Sequence, residues 1–124
     1  MRHVVGCMTG TSLDGLDVAL VAIDGTGLAM KPRLVRGHAH GLHHLGAALR
    51  DLAEQKPTTA GGIATLMRSF ALLHREAIAA LVGSDRIDLI AVHGQTVMHV
   101  PPVSWQLFQP APVAQAFAVP VVFD

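Results

Sequence analysis

Short apolar runs separated by polar turns dominate the amino-terminal part of the chain. Residues 3–9 and 17–24 are two such runs, and an extended pattern resumes from 28 to 37 after the turn Asp24-Gly25-Thr26-Gly27. Runs of this length with short connections are typical of strands. The pattern therefore predicts three consecutive strands paired as an antiparallel meander.

The next segments change to helical spacing. Residues 45–53 predict a short amphipathic helix, and a longer one should begin after a capping Thr58 or Thr59 and end at Gly83. Its apolar residues recur every three to four positions, at Ile63, Leu66, Met67, Phe70, Leu73, Ala77, Ile78 and Leu81. We expect this stripe to be buried against the sheet.

The last third of the chain returns to short elements. Residues 87–92 predict a strand covered on both faces, which should pair parallel to the first strand. After a polar loop at 93–99, we expect a short strand at 104–108, a brief helix at 112–117 and another buried strand at 120–123. Without the short helix at 45–53 and the short strand at 104–108, the order is β-β-β-α-β-α-β, an α/β fold.

The loop between the first two strands carries the most chemistry. Its glycines permit positive φ and close approach of a ligand, and its hydroxyls suit a bound phosphate, whereas its carboxylates would repel one unless a cation lay between. The residues concerned are Gly10, Thr11, Ser12, Asp14, Gly15 and Asp17. A nucleotide bound as its Mg²⁺ complex would meet both demands. The alternative is a hairpin turn whose polar side chains bond their own backbone.

Two histidine-containing stretches are further candidates. The segment 38–44 holds His38, His40, His43 and His44, which could converge on a metal ion, although a solvated loop is the interpretation that we favour. His93, Gln95 and Thr96 follow a predicted parallel strand, at the sheet edge where α/β proteins bind ligands. Their neutral donors and acceptors suit sugar hydroxyls, but a polar loop bonding its own backbone would need the same residues.

Bulk composition excludes several classes of protein. The chain has 124 residues, 51% of them apolar, and a mean hydropathy of +0.44, so it should form one folded domain. Nine basic and nine acidic residues balance, which gives no electrostatic reason to expect nucleic acid or a membrane surface as a partner. The single Cys7 and the lack of a long apolar run favour a cytoplasmic protein.

Two stretches together resemble one known family. The stretch Gly10-Thr11-Ser12-Leu13-Asp14-Gly15-Leu16-Asp17 resembles the first phosphate-binding motif of the anhydro-N-acetylmuramic acid kinases, which belong to the superfamily of sugar kinases, heat-shock chaperone ATPases and actin. The stretch His93-Gly94-Gln95-Thr96-Val97-Met98-His99 resembles the same family at the expected place in order. The resemblance covers essentially the whole chain but only the amino-terminal part of the family's length.

The resemblance implies a fold and an extent. The fold would be a ribonuclease-H-like lobe of the actin/hexokinase type, with the antiparallel meander extended by parallel strands and helices packed on the sheet. Residues 1–124 would form a single amino-terminal kinase lobe, and the second lobe would be absent from this chain. Such a lobe should expose an apolar face that a partner covers, either a second lobe or another copy of the chain.

The resemblance also implies an activity and its residues. The family converts anhydro-N-acetylmuramic acid, ATP and water to N-acetylmuramic acid 6-phosphate and ADP in peptidoglycan recycling. ATP and Mg²⁺ would be the cofactors, held by Gly10 to Asp17 with Asp14 and Asp17 towards the metal, and the amino sugar would contact His93, Gln95 and Thr96. The family's water-activating aspartate lies beyond Asp124, so we expect no catalytic residue here and leave open whether the chain alone is an enzyme.

Two alternatives remain open at this point. The chain could be a non-catalytic remnant that acts as a binding or regulatory subunit. It could instead be a lobe of a kinase for another sugar, because Phe108 and Gln109 stand where the family usually carries Gly-Asp before the proline. The phosphate loop is unaffected by that departure.

Overall fold

A five-stranded mixed sheet is the centre of the fold in the computed structural model, which describes all 124 residues. Three helices and a two-stranded hairpin accompany the sheet. The strands of the sheet are β1 (Arg2–Thr9), β2 (Leu16–Asp24), β3 (Lys31–His40), β4 (Leu89–Val92) and β7 (Val121–Phe123). The other elements are α1 (Leu45–Ala53), α2 (Ala60–Val82), the hairpin β5 (Gln95–Val100) and β6 (Val103–Leu107), and α3 (Ala111–Phe117).

The sheet topology confirms the predicted fold class. The strand order is β3-β2-β1-β4-β7, in which β1, β2 and β3 pair antiparallel and β4 and β7 extend the sheet in parallel. An antiparallel meander extended by parallel strands is the arrangement of an actin/hexokinase-type lobe. Because β1 and β4 are parallel, the loops that follow them emerge at the same edge of the sheet.

Alternation along the strands defines one core face. Every second residue of β2 is buried, starting with Leu16 and ending with Ala22, and Val5 of β1 and Ile90 of β4 are also fully buried. The apolar stripe of α2, including Phe70 and Ile78, joins the same cluster of buried side chains. The predicted stripe is therefore confirmed, and it forms one layer of the core.

The ends of α2 follow the predicted signals. The hydroxyl oxygen of Thr59 accepts a hydrogen bond from the Gly62 backbone N–H at 3.0 Å, which satisfies one of the unpaired donors of the first turn. Gly83 follows the last helical residue with φ +56°, a conformation that glycine adopts at little cost.

Three local predictions are wrong. His38 and His40 belong to β3 and do not lie in a loop, because the meander continues to the register pair Leu16–His40. Residues 95–99, predicted as a loop, form most of β5, which pairs antiparallel with β6. The extended segment predicted to begin at residue 28 begins only at Lys31, because a 3-10 turn occupies Gly27–Ala29. Short polar segments offered no periodicity that would distinguish these states.

The opposite face of the sheet carries no helix of this chain. The side chains that alternate with the buried ones include Met8, Leu34 and Val122, each of which is more than half exposed. The small residues Gly6, Ala19 and Ala91 lie on the same face. A cavity of about 610 Å³ lies over these small residues. The predicted exposed apolar face is thus present, and we refer to it below as the open face.

Candidate functional site

The loop between β1 and β2 is a tight turn with free donors. The Leu13 N–H donates to the Gly10 carbonyl at 3.1 Å, and Leu13 has φ +58°. Thr11 and Ser12 form the exposed tip, and neither their N–H groups nor that of Asp14 has an acceptor among the hydrogen bonds of the loop. Free backbone N–H groups beside exposed hydroxyls are the donors that bind a phosphate.

Gly15 has a structural reason of its own. A Cβ built at this position would lie 3.1 Å from the carbonyl oxygen of His40, which is a tighter approach than most Cβ atoms make. Glycine therefore allows β2 to begin close against the end of β3. Gly10 is under less constraint, since a Cβ there would meet only Ser12 Oγ at 3.7 Å.

Asp14 and Asp17 are both exposed at the loop edge of the sheet. No group of three or more His, Cys, Asp or Glu side chains in the chain is arranged to hold a metal ion. Mg²⁺ is usually bound by one or two carboxylates together with substrate phosphates and water. The donor set present here therefore fits a Mg²⁺ ion that arrives with a nucleotide, with Asp14 or Asp17 as its protein ligands.

The second motif touches the first through buried polar contacts. The Thr9 hydroxyl, almost fully buried, donates to the Gly94 carbonyl at 3.0 Å, and Gln95 Nε2 lies 3.4 Å from the Gly10 carbonyl. Gly94 has φ +76°, and a Cβ on it would come within 2.9 Å of the Leu107 carbonyl oxygen. The two motifs thus form one continuous edge, with Gly94 fitted between the loop and β6.

The three residues predicted to contact the sugar point in different directions. The exposed His93 lines the cavity on the open face together with Asp17. Gln95 is 1% exposed, and its Oε1 has no hydrogen-bond partner. The Thr96 hydroxyl donates to Gln106 Oε1 across the β5–β6 hairpin. Of these three residues, only His93 lines an accessible cavity together with a residue of the first motif, Asp17.

Two residues that no sequence motif indicated, one on α1 and one just beyond it, hold these motifs. Arg50 Nη2 donates to the Ser12 carbonyl at 3.3 Å, and Gln55 Nε2 donates to the Val97 carbonyl at 3.3 Å. Both are exposed polar residues with no motif around them, so only a long-range contact could reveal them.

Phe108, at the position that departs from the family pattern, lies in the core. Its ring centroid is 5.0 Å from that of His74, and Phe70 lies 4.5 Å from His74 on another side. His74 Nδ1 bonds the Phe70 carbonyl at 2.8 Å, whereas its Nε2 has no partner. Burial lowers the pKa of His74 to about 4, although the Phe70 hydrogen bond opposes part of this shift.

Burial likewise raises the pKa of the Cys7 thiol to about 12, so Cys7 is a core residue and not a nucleophile.

A sheet ordered β3-β2-β1-β4-β7, with an antiparallel meander extended by parallel strands, is that of one lobe of the actin/hexokinase type. The family model for anhydro-N-acetylmuramic acid kinase matches residues 2–124. The chain therefore belongs to the anhydro-N-acetylmuramic acid kinase family.

Curated relatives extend beyond the region that they share with this chain. Two anhydro-N-acetylmuramic acid kinases from strains of Rhodopseudomonas palustris are 37% and 34% identical to it, over 100% of this chain and 37% of their own length. The kinase from Salinibacter ruber is 36% identical over 98% of this chain and 34% of its own length. The chain thus spans about a third of the length of these relatives.

None of the three helices combines the length and the apolar character that crossing a bilayer requires.

Proposed function

We propose that the chain is the nucleotide-binding lobe of a cytoplasmic, ATP-dependent kinase that acts on anhydro-N-acetylmuramic acid. The observation that carries the proposal is the turn at Gly10–Leu13, which presents free N–H groups and two hydroxyls beside Asp14 at the carboxyl end of β1. In such a site the loop donors hold the phosphates and one or two carboxylates hold Mg²⁺.

The proposed reaction assigns a limited part to this chain. Water adds to the anomeric carbon as the bridging bond to the 6-oxygen breaks, the 6-oxygen bonds the γ-phosphorus, and ADP leaves. The loop at 10–15 would orient the triphosphate and stabilise charge on its oxygens. Asp17 would lie towards the metal, and His93, which lines the same cavity as Asp17, would face the sugar. The proton from water would go to a base in the second lobe, as the family resemblance implies.

The uncovered open face supports the proposal that the lobe binds a partner. Parallel strands are normally covered on both faces, yet only one face of β1, β4 and β7 is covered here. Since the relatives are nearly three times as long as the aligned region, we propose that a polypeptide corresponding to their remaining length covers the open face and supplies the second lobe. A second copy of the chain is the other candidate for that place.

A kinase for another sugar is the alternative within the same class. Two observations favour it. Gln95, which was expected to contact the sugar, is buried, and so is Phe108, which departs from the family pattern. A non-catalytic regulatory subunit would retain the fold but would not need the free donors of the loop.

Calorimetric titration of ATP–Mg²⁺ tests the proposal. It is performed on the chain alone and on the chain mixed with the remaining two thirds of a Rhodopseudomonas palustris relative. The proposal predicts binding that tightens at least tenfold in the mixture and is lost in Asp14→Asn, whereas the matched variant Asp24→Asn, at the far end of β2, binds like the wild type. No binding by the folded chain in either setting would contradict the proposal and favour the regulatory subunit.

A further inference from the structure

The proposed phosphate-binding loop between β1 and β2 has no cationic side chain. From Thr9 to Asp17 the chain has two carboxylates and no Lys, Arg or His. A triphosphate with one Mg²⁺ remains anionic, and its charge must be balanced further for tight binding. Positive charge must therefore come from elsewhere in the fold.

Arg50 is the cation that the fold brings to this loop. Its guanidinium Nη2 donates to the Ser12 carbonyl at 3.3 Å, a contact between residues 38 positions apart. Arg50 takes part in none of the ion pairs of the chain, and the neighbouring Asp51 pairs with Lys56 at 2.6 Å. The exposed guanidinium keeps its other N–H donors free.

Helix α1 holds Arg50 in place from both ends. Leu45 and Leu49 anchor the helix in the core, and Gln55, just beyond its end, donates to the Val97 carbonyl of β5. The backbone under Arg50 is thus held against the core and the second motif before a ligand arrives. Such preorganisation lowers the cost of ordering a long side chain on binding.

We propose that Arg50 is a phosphate-positioning residue of the nucleotide site, holding the loop through the Ser12 carbonyl with one N–H group while other N–H groups donate to a phosphate oxygen. This inference rests on the proposed function of the loop. A planar guanidinium can donate in two directions at once, whereas a lysine ammonium on a flexible stem matches both acceptors less well. Substitution by lysine should therefore restore only part of what substitution by methionine removes.

Titrations with probes that differ in phosphate content test the inference. The probes are ATP–Mg²⁺, Mg²⁺-tripolyphosphate and adenosine, and the proteins are the wild type, Arg50→Met, Arg50→Lys and the control Arg68→Met. Arg68 is an exposed arginine on α2 with no hydrogen bond or ion pair. Loss of a hydrogen bond to a charged group predicts that Arg50→Met weakens ATP and tripolyphosphate binding at least about tenfold. Arg50→Lys should fall between it and the wild type, and adenosine binding should change less than twofold.

The outcomes separate this inference from the proposed function. If the wild type binds ATP–Mg²⁺ and Arg50→Met binds it within twofold as well, the role of Arg50 is refuted and the nucleotide site stands. An equal loss for adenosine and tripolyphosphate would show that Arg50 only supports the local structure, which also refutes the inference. If the wild type binds neither nucleotide nor tripolyphosphate, both proposals fail.

Discussion

The two faces of the central sheet are built from alternate residues of the same strands, yet they differ in completeness. On the covered face Val5, Leu16 and Ile90 are fully buried beneath the helices. On the open face Met8 is 53% exposed and Val122 is 56% exposed. Burial of apolar side chains on the covered face therefore stabilises the folded chain, whereas the open face offers apolar surface for association.

The largest expected effect is on the covered face. Phe70→Ala removes a fully buried ring that contacts His74, and such truncations cost about 3–5 kcal/mol through lost burial and the cavity left behind. Denaturant unfolding of the chain measures this loss. The matched change on the open face, Met8→Ala, should alter the free energy of unfolding by no more than about 0.5 kcal/mol. Similar losses for both variants would remove the distinction between the faces.

Association should depend on the open face alone. Val122→Glu places a charge in the proposed contact, so binding to the remaining two thirds of a relative should weaken at least about 100-fold, while the chain itself stays as stable as the wild type. Sedimentation velocity of the mixture measures this association, and the same measurement on the chain alone detects any self-association. Val103→Glu, on the exposed β6 strand of the hairpin, is the control. Unchanged association in Val122→Glu would place the partner elsewhere.

The covered face should also make stability depend on pH through His74. Because burial lowers its pKa from 6.5 to about 4 in the folded chain, the unfolded state binds the proton more readily between these values. Its contribution is fully present above pH 6.5 and is lost as the pH falls towards 4, by up to about 3 kcal/mol.

Unfolding free energies measured from pH 7 to pH 4 test this dependence. The variant His74→Leu, which cannot be protonated at this position, should show a shallower decline than the wild type. Parallel declines in the two proteins would show that His74 is not the group responsible.

The smallest expected effect concerns the link between the two motifs. Thr9→Val removes the hydroxyl that donates to the Gly94 carbonyl and leaves that carbonyl with His93 Nδ1, at 3.1 Å, as its remaining partner, at a cost of about 0.5–1.5 kcal/mol. Faster amide exchange in the loop at 10–15 should accompany the loss. Thr65→Val, which removes an exposed hydroxyl bonded to the Gly61 carbonyl within α2, should cost less than about 0.5 kcal/mol. An equal effect of the two substitutions would argue against a specific link.

Periodic segments were predictable from sequence, and contacts between distant polar residues were not. The α2 stripe and its ends at Thr59 and Gly83 follow local signals, and the parallel pairing of β4 with β1 follows from the connecting helix. The β5 strand was missed because it begins with the polar residues Gln95 and Thr96. Gln95 is buried against the Gly10 carbonyl, and the Thr96 hydroxyl bonds Gln106 across the hairpin. Local sequence does not indicate where such a partner lies.

The candidate site shows the same division. The loop at 10–15 was recognisable from its residue types, but the cation beside it was not, because Arg50 lies on the polar side of an amphipathic helix. The burial of Gln95 was equally hidden, since only the folded chain brings the Gly10 carbonyl to its side chain.

The most direct measurement is turnover of anhydro-N-acetylmuramic acid with ATP–Mg²⁺ by the chain, by the remaining two thirds of a relative, and by the two mixed. If the chain is a nucleotide-binding lobe completed over its open face, only the mixture should form N-acetylmuramic acid 6-phosphate, and Val122→Glu should abolish this gain. Absence of product from a mixture whose association has been demonstrated, or product formed by the chain alone, would contradict it.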